Sequence, residues 1–207
     1  MLNNIIRTKE YCNLLNQEDF NKIKEDMLGI WFPWYFFKKS VPDEMLKKDK
    51  TSIKFIQSSI LRHRFYDDYN INSNFSMIID LLIKELSAKT GLSYKIKAAY
   101  ANLLLANNVP VGSLDVPHVD RTEQNGKSLS GVFYMTNSVE GTTLYNEYEE
   151  SEKVNQDGIA TIKDMNVAEI VKAEENKLVL FDCRTYHSAP ASCIRDRLAI
   201  NINIDIK

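Results

Sequence analysis

Ten residues, 197–206, constrain this chain more than any other stretch. Leu198, Ile200, Ile202, Ile204 and Ile206 alternate there with Arg197, Ala199, Asn201, Asn203 and Asp205. Successive side chains of an extended chain point to opposite faces, so this run is a β-strand with one apolar and one polar face. The apolar face is suited to packing under helices. The polar face has two uses, bulk solvent or a hydrated site between two sheets. Shorter strand patterns precede it at 94–105, 130–136, 142–145 and 177–182.

Upstream of about residue 92 the period changes. Phe20, Ile23, Met27 and Leu28 recur at helical spacing after Asn16 and Gln17. A second helix is expected over 74–89, where Phe75, Ile78, Ile79, Leu82 and Leu86 form one apolar stripe. Ser73 or Asn74 can cap its start and Gly91 can end it. Between the two helices lies an aromatic cluster, Trp31, Phe32, Trp34, Tyr35, Phe36 and Phe37, interrupted by Pro33. It reads either as a buried anchor for the amino-terminal segment or as an aromatic wall of a substrate groove. With 7 Gly and 5 Pro and no repeat, no linker is evident. The expectation is one α+β domain over 1–207, with a mainly helical support region (1–91) and a strand-built core (92–207).

Bulk properties remove several function classes. The formal charge is −2, so no general basic footprint for nucleic acid exists. Three cysteines, with no CxxC pair, argue against a disulfide framework and for a reducing compartment. Residues 1–10 lack the apolar run of a secretion signal, and no stretch approaches the ~18–20 apolar residues of a membrane helix. The expected location is the cytoplasm, without a membrane partner.

Only three histidines are available for chemistry. His118 and Asp120 stand two apart after a loop containing Pro and Gly, so in extended chain they converge while Val119 turns away. With 28 acidic residues in 207, three histidines give roughly 0.4 such pairs by chance, so the pair alone is weak. His187 strengthens it. It follows the buried-strand pattern Leu178 to Asp182, and 67 residues separate it from Asp120, room for hairpins that bring the chain back. Two histidines and one carboxylate occupy one face of an octahedron and leave three positions open, as non-haem iron(II) oxygenases require. Arg197, ten residues after His187 on the polar face of the last strand, can meet a carboxylate in a charge-assisted pair. Arg195 ranks lower because Asp196 follows it in a turn-like segment. His63, in Arg62-His63-Arg64, has no acidic neighbour at ligand spacing and is expected at the surface.

His118-x-Asp120, His187 and Arg197 together resemble the 2-oxoglutarate- and iron(II)-dependent dioxygenases, specifically the prolyl-4-hydroxylase-like branch. Residues 133–137 and 140–145 resemble that branch's strand pair, with Glu140-Gly141-Thr142 where Gly-Gly-Thr is usual, and 176–182 resemble the strand before the distal histidine. The likeness spans about 95–206, and the whole chain is similar to small members carried by phages and bacteria. It implies a double-stranded β-helix (jelly-roll) core with the amino-terminal helices on the outer face of one sheet. It implies iron(II) on His118, Asp120 and His187, 2-oxoglutarate as cosubstrate, dioxygen, and ascorbate as an auxiliary. Tyr134 and Arg197 would hold the far carboxylate of 2-oxoglutarate, and Asn102 would contact the same molecule, although Leu104 stands where a tyrosine is frequent. The implied reaction is hydroxylation of a peptidyl, prolyl-type, or small-molecule substrate with release of succinate and carbon dioxide. Two rivals remain: a zinc hydrolase, since the same donors suit zinc, and a jelly-roll binding or phage structural module without catalysis. Cys183 reads as packing. The acidic connection 146–169 reads as a solvated loop or an active-site lid.

Overall fold

A computed structural model describes residues 8–38, 59–110, 113–120, 128–148, 166–191 and 194–207. In chain order the elements are β1 (Lys9–Tyr11), α1 (Gln17–Leu28), β2 (Tyr35–Phe37), β3 (Ile60–Asp67), β4 (Asn70–Ile71), α2 (Met77–Thr90) and β5 (Tyr94–Leu104). They continue with β6 (Ser128–Tyr134), β7 (Ser138–Tyr148), β8 (Val167–Ala173), β9 (Lys177–Asp182), β10 (Thr185–Ser188) and β11 (Arg197–Ile206).

The alternating strand sits at the centre. β11 pairs antiparallel with β5 on one side and β6 on the other, inside a large sheet of order β1-β9-β6-β11-β5-β3-β2, with β4 attached to β3. A small sheet, β10-β7-β8, makes the second layer. Leu198, Ile200, Ile202 and Ile204 join one core cluster with Phe20, Ile23 and Met27 of α1 and Ile78, Ile79, Leu82 and Leu86 of α2. On the opposite face Val132, Tyr134, Val179, Phe181 and Ala199 meet Leu144 and Val171 of the small sheet. The strand therefore separates two cores, a helix-covered one and the interior between the sheets. This two-sheet architecture is the expected jelly roll.

Both helices form where the apolar period places them. Asn16 caps α1, its side chain accepting from the Asp19 amide at 2.9 Å. α2 begins at Met77 after Ser76, which makes no side-chain cap bond, so neither Ser73 nor Asn74 caps it; Ser73 Oγ accepts instead from the Phe75 amide. Gly91 ends α2 in the left-handed region at φ 70°, which glycine tolerates without penalty.

Among the described residues the first 91 also contribute four strands, β3 the longest, to a region expected to be mainly helical; β2 falls in the aromatic cluster. The buried His63 of β3 corrects the expected surface position. At 3% exposure its ring lies among Phe32, Phe65 and Phe75, with Nδ1 2.8 Å from the Pro33 carbonyl oxygen and Nε2 2.8 Å from Ser73 Oγ. Both ring nitrogens are satisfied, which makes burial tolerable. The aromatic cluster divides. Phe32 is buried and the Trp34 indole donates to the Met27 carbonyl oxygen at 3.0 Å, whereas Trp31 is 86% exposed and Phe36 69%.

The acidic connection is strand at both described ends, β7 reaching Tyr148 and β8 starting at Val167; its middle, 149–165, lies outside the described residues, and with it any lid. No described helix is long and apolar enough to cross a membrane.

Candidate metal centre and its pocket

His118 and His187 are direct cross-strand partners. The segment 113–120 runs antiparallel to 185–191, and each histidine's amide donates to the other's carbonyl at 2.9 Å. Further bonds, Asp115 N–H to Ala189 O at 2.9 Å and Ala191 N–H to Ser113 O at 2.8 Å, hold the register. Residues opposite one another in such a ladder share a face, so the two imidazoles come together, with ring centroids 4.5 Å apart. Val119 and Tyr186 turn the other way and pack with Tyr145. That is the alternation the sequence requires.

Each imidazole is oriented by its own backbone. His118 Nδ1 lies 3.0 Å from the Val116 carbonyl oxygen and His187 Nδ1 3.0 Å from that of Thr185. A carbonyl only accepts, so both Nδ1 atoms carry the hydrogen and both Nε2 atoms keep a lone pair for a ligand. His187 also packs edge-on against Phe181, with centroids 4.9 Å apart.

Asp120 completes the group, its Oδ2 lying 3.8 Å from His187 Nε2. That oxygen accepts from Ser130 Oγ and, at 2.8 Å, from Asn203 Nδ2. Ser130 and Asn203 stand opposite each other on β6 and β11. Both bonds fall on Oδ2, the oxygen that also faces His187, so the carboxylate is fixed beside the imidazoles. Burial disfavours charge on Asp120, but the neighbouring histidines and the Ser130 and Asn203 bonds outweigh it and hold the carboxyl below its usual value. His187 is pulled down to about 4, chiefly by burial and further by His118, against the attraction of Asp120. A neutral imidazole beside an ionised carboxylate is the protonation state a cation binds.

One donor atom from each of the three residues lies within 4.8 Å of the others. Metal bonds of about 2.0–2.2 Å draw such donors somewhat closer, a change within reach of small side-chain rotations. Two imidazole nitrogens and one carboxylate oxygen, each fixed by an outer hydrogen bond, fit a first-row divalent ion with open positions.

The other expected residues lie on the same interior face of the large sheet. Tyr134, Ala199 and Asn102 occupy one cross-strand row, and Arg197 is two residues along β11 from Ala199. Arg197 is 6% exposed, with its guanidinium carbon 5.8 Å from the centroid of the Tyr134 ring. Tyr134 is fully buried and donates to Thr142 Oγ1 at 2.8 Å. Burial pushes its phenol above the usual value, against the lowering influence of Arg197, so the hydroxyl remains a donor. Asn102 is engaged on both sides: its Oδ1 accepts from Arg62 Nε at 2.8 Å and its Nδ2 donates to Asn201 Oδ1 at 3.3 Å. Cys183 is buried and its thiol is pushed up to about 12, mainly by burial, consistent with packing.

Ser130 and Asn203 were not singled out from the sequence as partners of Asp120. Asn203 was visible as part of a polar face, and the structure decides that this face looks into the interior. Ser130 had no signal, being one of two serines in a short strand.

No family model matches the chain, and no curated protein does. Solved structures match it over nearly its whole length. They define its fold as that of the 2-oxoglutarate- and iron(II)-dependent oxygenases, prolyl hydroxylases included. The α-ketoglutarate-dependent epimerase SnoN from nogalamycin biosynthesis is 11% identical with a TM-score of 0.60, covering 97% of this chain and 79% of that one. An oxidoreductase of the 2OG-Fe(II) oxygenase family from Burkholderia pseudomallei is 12% identical at TM-score 0.60, covering 96% and 85%. A Trichoplax adhaerens prolyl hydroxylase, solved with a hypoxia-inducible-factor peptide, is 13% identical at TM-score 0.53, covering 96% and 83%. At these identities the likeness concerns the fold alone.

Proposed function

We propose that the protein is a 2-oxoglutarate- and iron(II)-dependent oxygenase. The observation that carries this reading is the His118–His187 backbone pair, which presents two Nε2 lone pairs beside the Asp120 carboxylate on the interior of an oxygenase fold. His118, Asp120 and His187 are the iron ligands in this reading. The buried guanidinium of Arg197 and the Tyr134 hydroxyl, turned from Thr142 Oγ1 when the cosubstrate is bound, hold the far carboxylate of 2-oxoglutarate, and Asn102 contacts the same molecule. Iron and 2-oxoglutarate, when bound, supply the oxidation of a substrate by dioxygen, coupled to release of succinate and carbon dioxide.

The chain's own contribution is positional. Ser130 and Asn203 hold the Asp120 carboxylate through Oδ2 beside His187, and the Val116 and Thr185 carbonyls fix the tautomers. Val132, Val179 and Phe181 pack in the buried cluster between the sheets that also holds Tyr134. Hydroxylation of a peptidyl, prolyl-type, or small-molecule substrate is the reaction we assign, within the cytoplasm, with ascorbate as an auxiliary reductant.

The test is direct. Protein loaded with iron(II) without oxygen is titrated with 2-oxoglutarate by calorimetry, and succinate is then followed by mass spectrometry after oxygen is admitted. Saturable binding and succinate release are expected. Absence of 2-oxoglutarate binding, or activity that needs neither oxygen nor cosubstrate, would replace this reading with a hydrolase or a binding module.

A further inference from the structure

The three-stranded small sheet stands opposite a large sheet that continues through β5, β3 and β2. Cross-strand register carries one row of side chains along a single face of the large sheet, from buried Tyr134 through Ala199 and Asn102 to Arg62 and the exposed Tyr35. Arg62 therefore lies on the same face of the large sheet as the candidate metal centre, two strands beyond β11.

Its guanidinium is held in a fixed pose. Nε donates to Asn102 Oδ1 at 2.8 Å, and the guanidinium carbon lies 4.8 Å from the Tyr100 ring centroid and 5.3 Å from that of Phe37. Two aromatic rings and an amide orient the fork without neutralising it. Among the described residues no carboxylate pairs with Arg62, whereas its neighbour Arg64 is paired with Asp67 at 2.7 Å. A half-buried guanidinium, aimed by neutral groups and with no acid beside it among the described residues, is arranged for an anion that arrives from outside.

We propose that Arg62, positioned by Asn102 and stacked by Tyr100 and Phe37, is an oxyanion-binding residue that takes a carboxylate of the substrate. This deepens the proposed function and rests on it for the identity of the reaction. The same chemistry could serve a carboxylate of the cosubstrate, and the experiment separates the two sources.

Zinc(II)-loaded protein, which is diamagnetic and inert, is labelled with nitrogen-15, and the Arg62 Nε–H signal is assigned by its absence in Arg62→Lys. The protein is first saturated with N-oxalylglycine, an inert analogue of 2-oxoglutarate, and then titrated with acetate. The expected result is that N-oxalylglycine leaves the Arg62 signal in place and acetate shifts it saturably. Asn102→Ala, which frees the fork, should weaken acetate roughly ten- to hundredfold, the range of one charge-assisted bond. Arg62→Gln, checked for an unchanged melting profile, should abolish acetate binding measured by calorimetry. A signal that N-oxalylglycine moves, and that acetate then cannot, assigns Arg62 to the cosubstrate and overturns the proposal. So does a signal that acetate never shifts. Failure of N-oxalylglycine to bind at all, with acetate still bound at Arg62, would instead remove the oxygenase reading and leave the anion site.

Discussion

Asp120 is set in place before any ligand arrives, because Ser130 and Asn203 donate to the same oxygen. Outer partners of this kind hold a ligand's orientation, and losing one commonly costs about 10–100-fold in metal affinity. Asn203→Ala should therefore weaken iron(II) or manganese(II) binding by about that factor in calorimetry, with the fold intact by circular dichroism. His187→Ala should abolish metal binding and succinate formation altogether; normal turnover would take His187 out of the centre. Arg197→Ala should reduce 2-oxoglutarate affinity by roughly ten- to hundredfold while metal affinity changes little. An unchanged cosubstrate titration would move that role to another residue, Arg62 first among them.

Acid should expose the buried histidines. His187 is held at about 4 in the folded protein, by burial first, against about 6.5 in an unfolded chain. Between those values the unfolded chain binds a proton that the folded one refuses. Stability of the metal-free protein is then complete above about pH 7 and falls as pH drops through the window, by on the order of 3 kcal/mol. His63 is lowered in the same direction, by burial among the aromatic rings against the Pro33 bond, and adds to the loss. Urea midpoints measured between pH 7.5 and 4.5 should show the decline, and His63→Gln should make it shallower. A flat profile would mean that neither imidazole is excluded from water.

At the scale of elements, close backbone approach fixes two places. Gly141 in β7 lies against β8 so tightly that a Cβ would overlap the Val171 carbonyl oxygen. Gly141→Ala should force the two strands apart and lower the thermal midpoint of a chain this size by several degrees. The sequence offered Gly141 only as part of a motif-like triplet; its reason lies in the neighbouring strand. Asn176 is the second case. It sits at φ 60°, and its side-chain amide pairs reciprocally with the Leu15 backbone, at 2.9 and 2.8 Å, tying the segment before α1 to the turn before β9. Asn176→Ala removes both buried bonds and a residue that tolerates this conformation, and should cost about 2–4 kcal/mol in denaturant unfolding.

At the scale of the whole molecule, ligand and fold are linked through the His118–His187 ladder, which joins segments about 70 residues apart in sequence. A metal that binds only the folded ladder should stabilise the protein by about 2.7 kcal/mol at a hundredfold excess over its Kd. Thermal midpoints with and without chelator should differ accordingly, and the difference should vanish in His187→Ala.

The sequence by itself determined the elements whose physics is local. The period-2 run of β11, the apolar stripes of α1 and α2 and the Gly91 stop all follow from spacing and backbone preference. It also brought His118 and Asp120 to one side of an extended segment. Only the tertiary structure decided which way the polar face of β11 looks, and so that Asn203 meets Asp120. It also decided that His63 is core rather than surface, and that β3, with its mixed pattern, extends the large sheet beyond β5. These are pairings between distant segments, settled by which face finds a partner to exclude water, and no window of sequence contains both sides of such a contact.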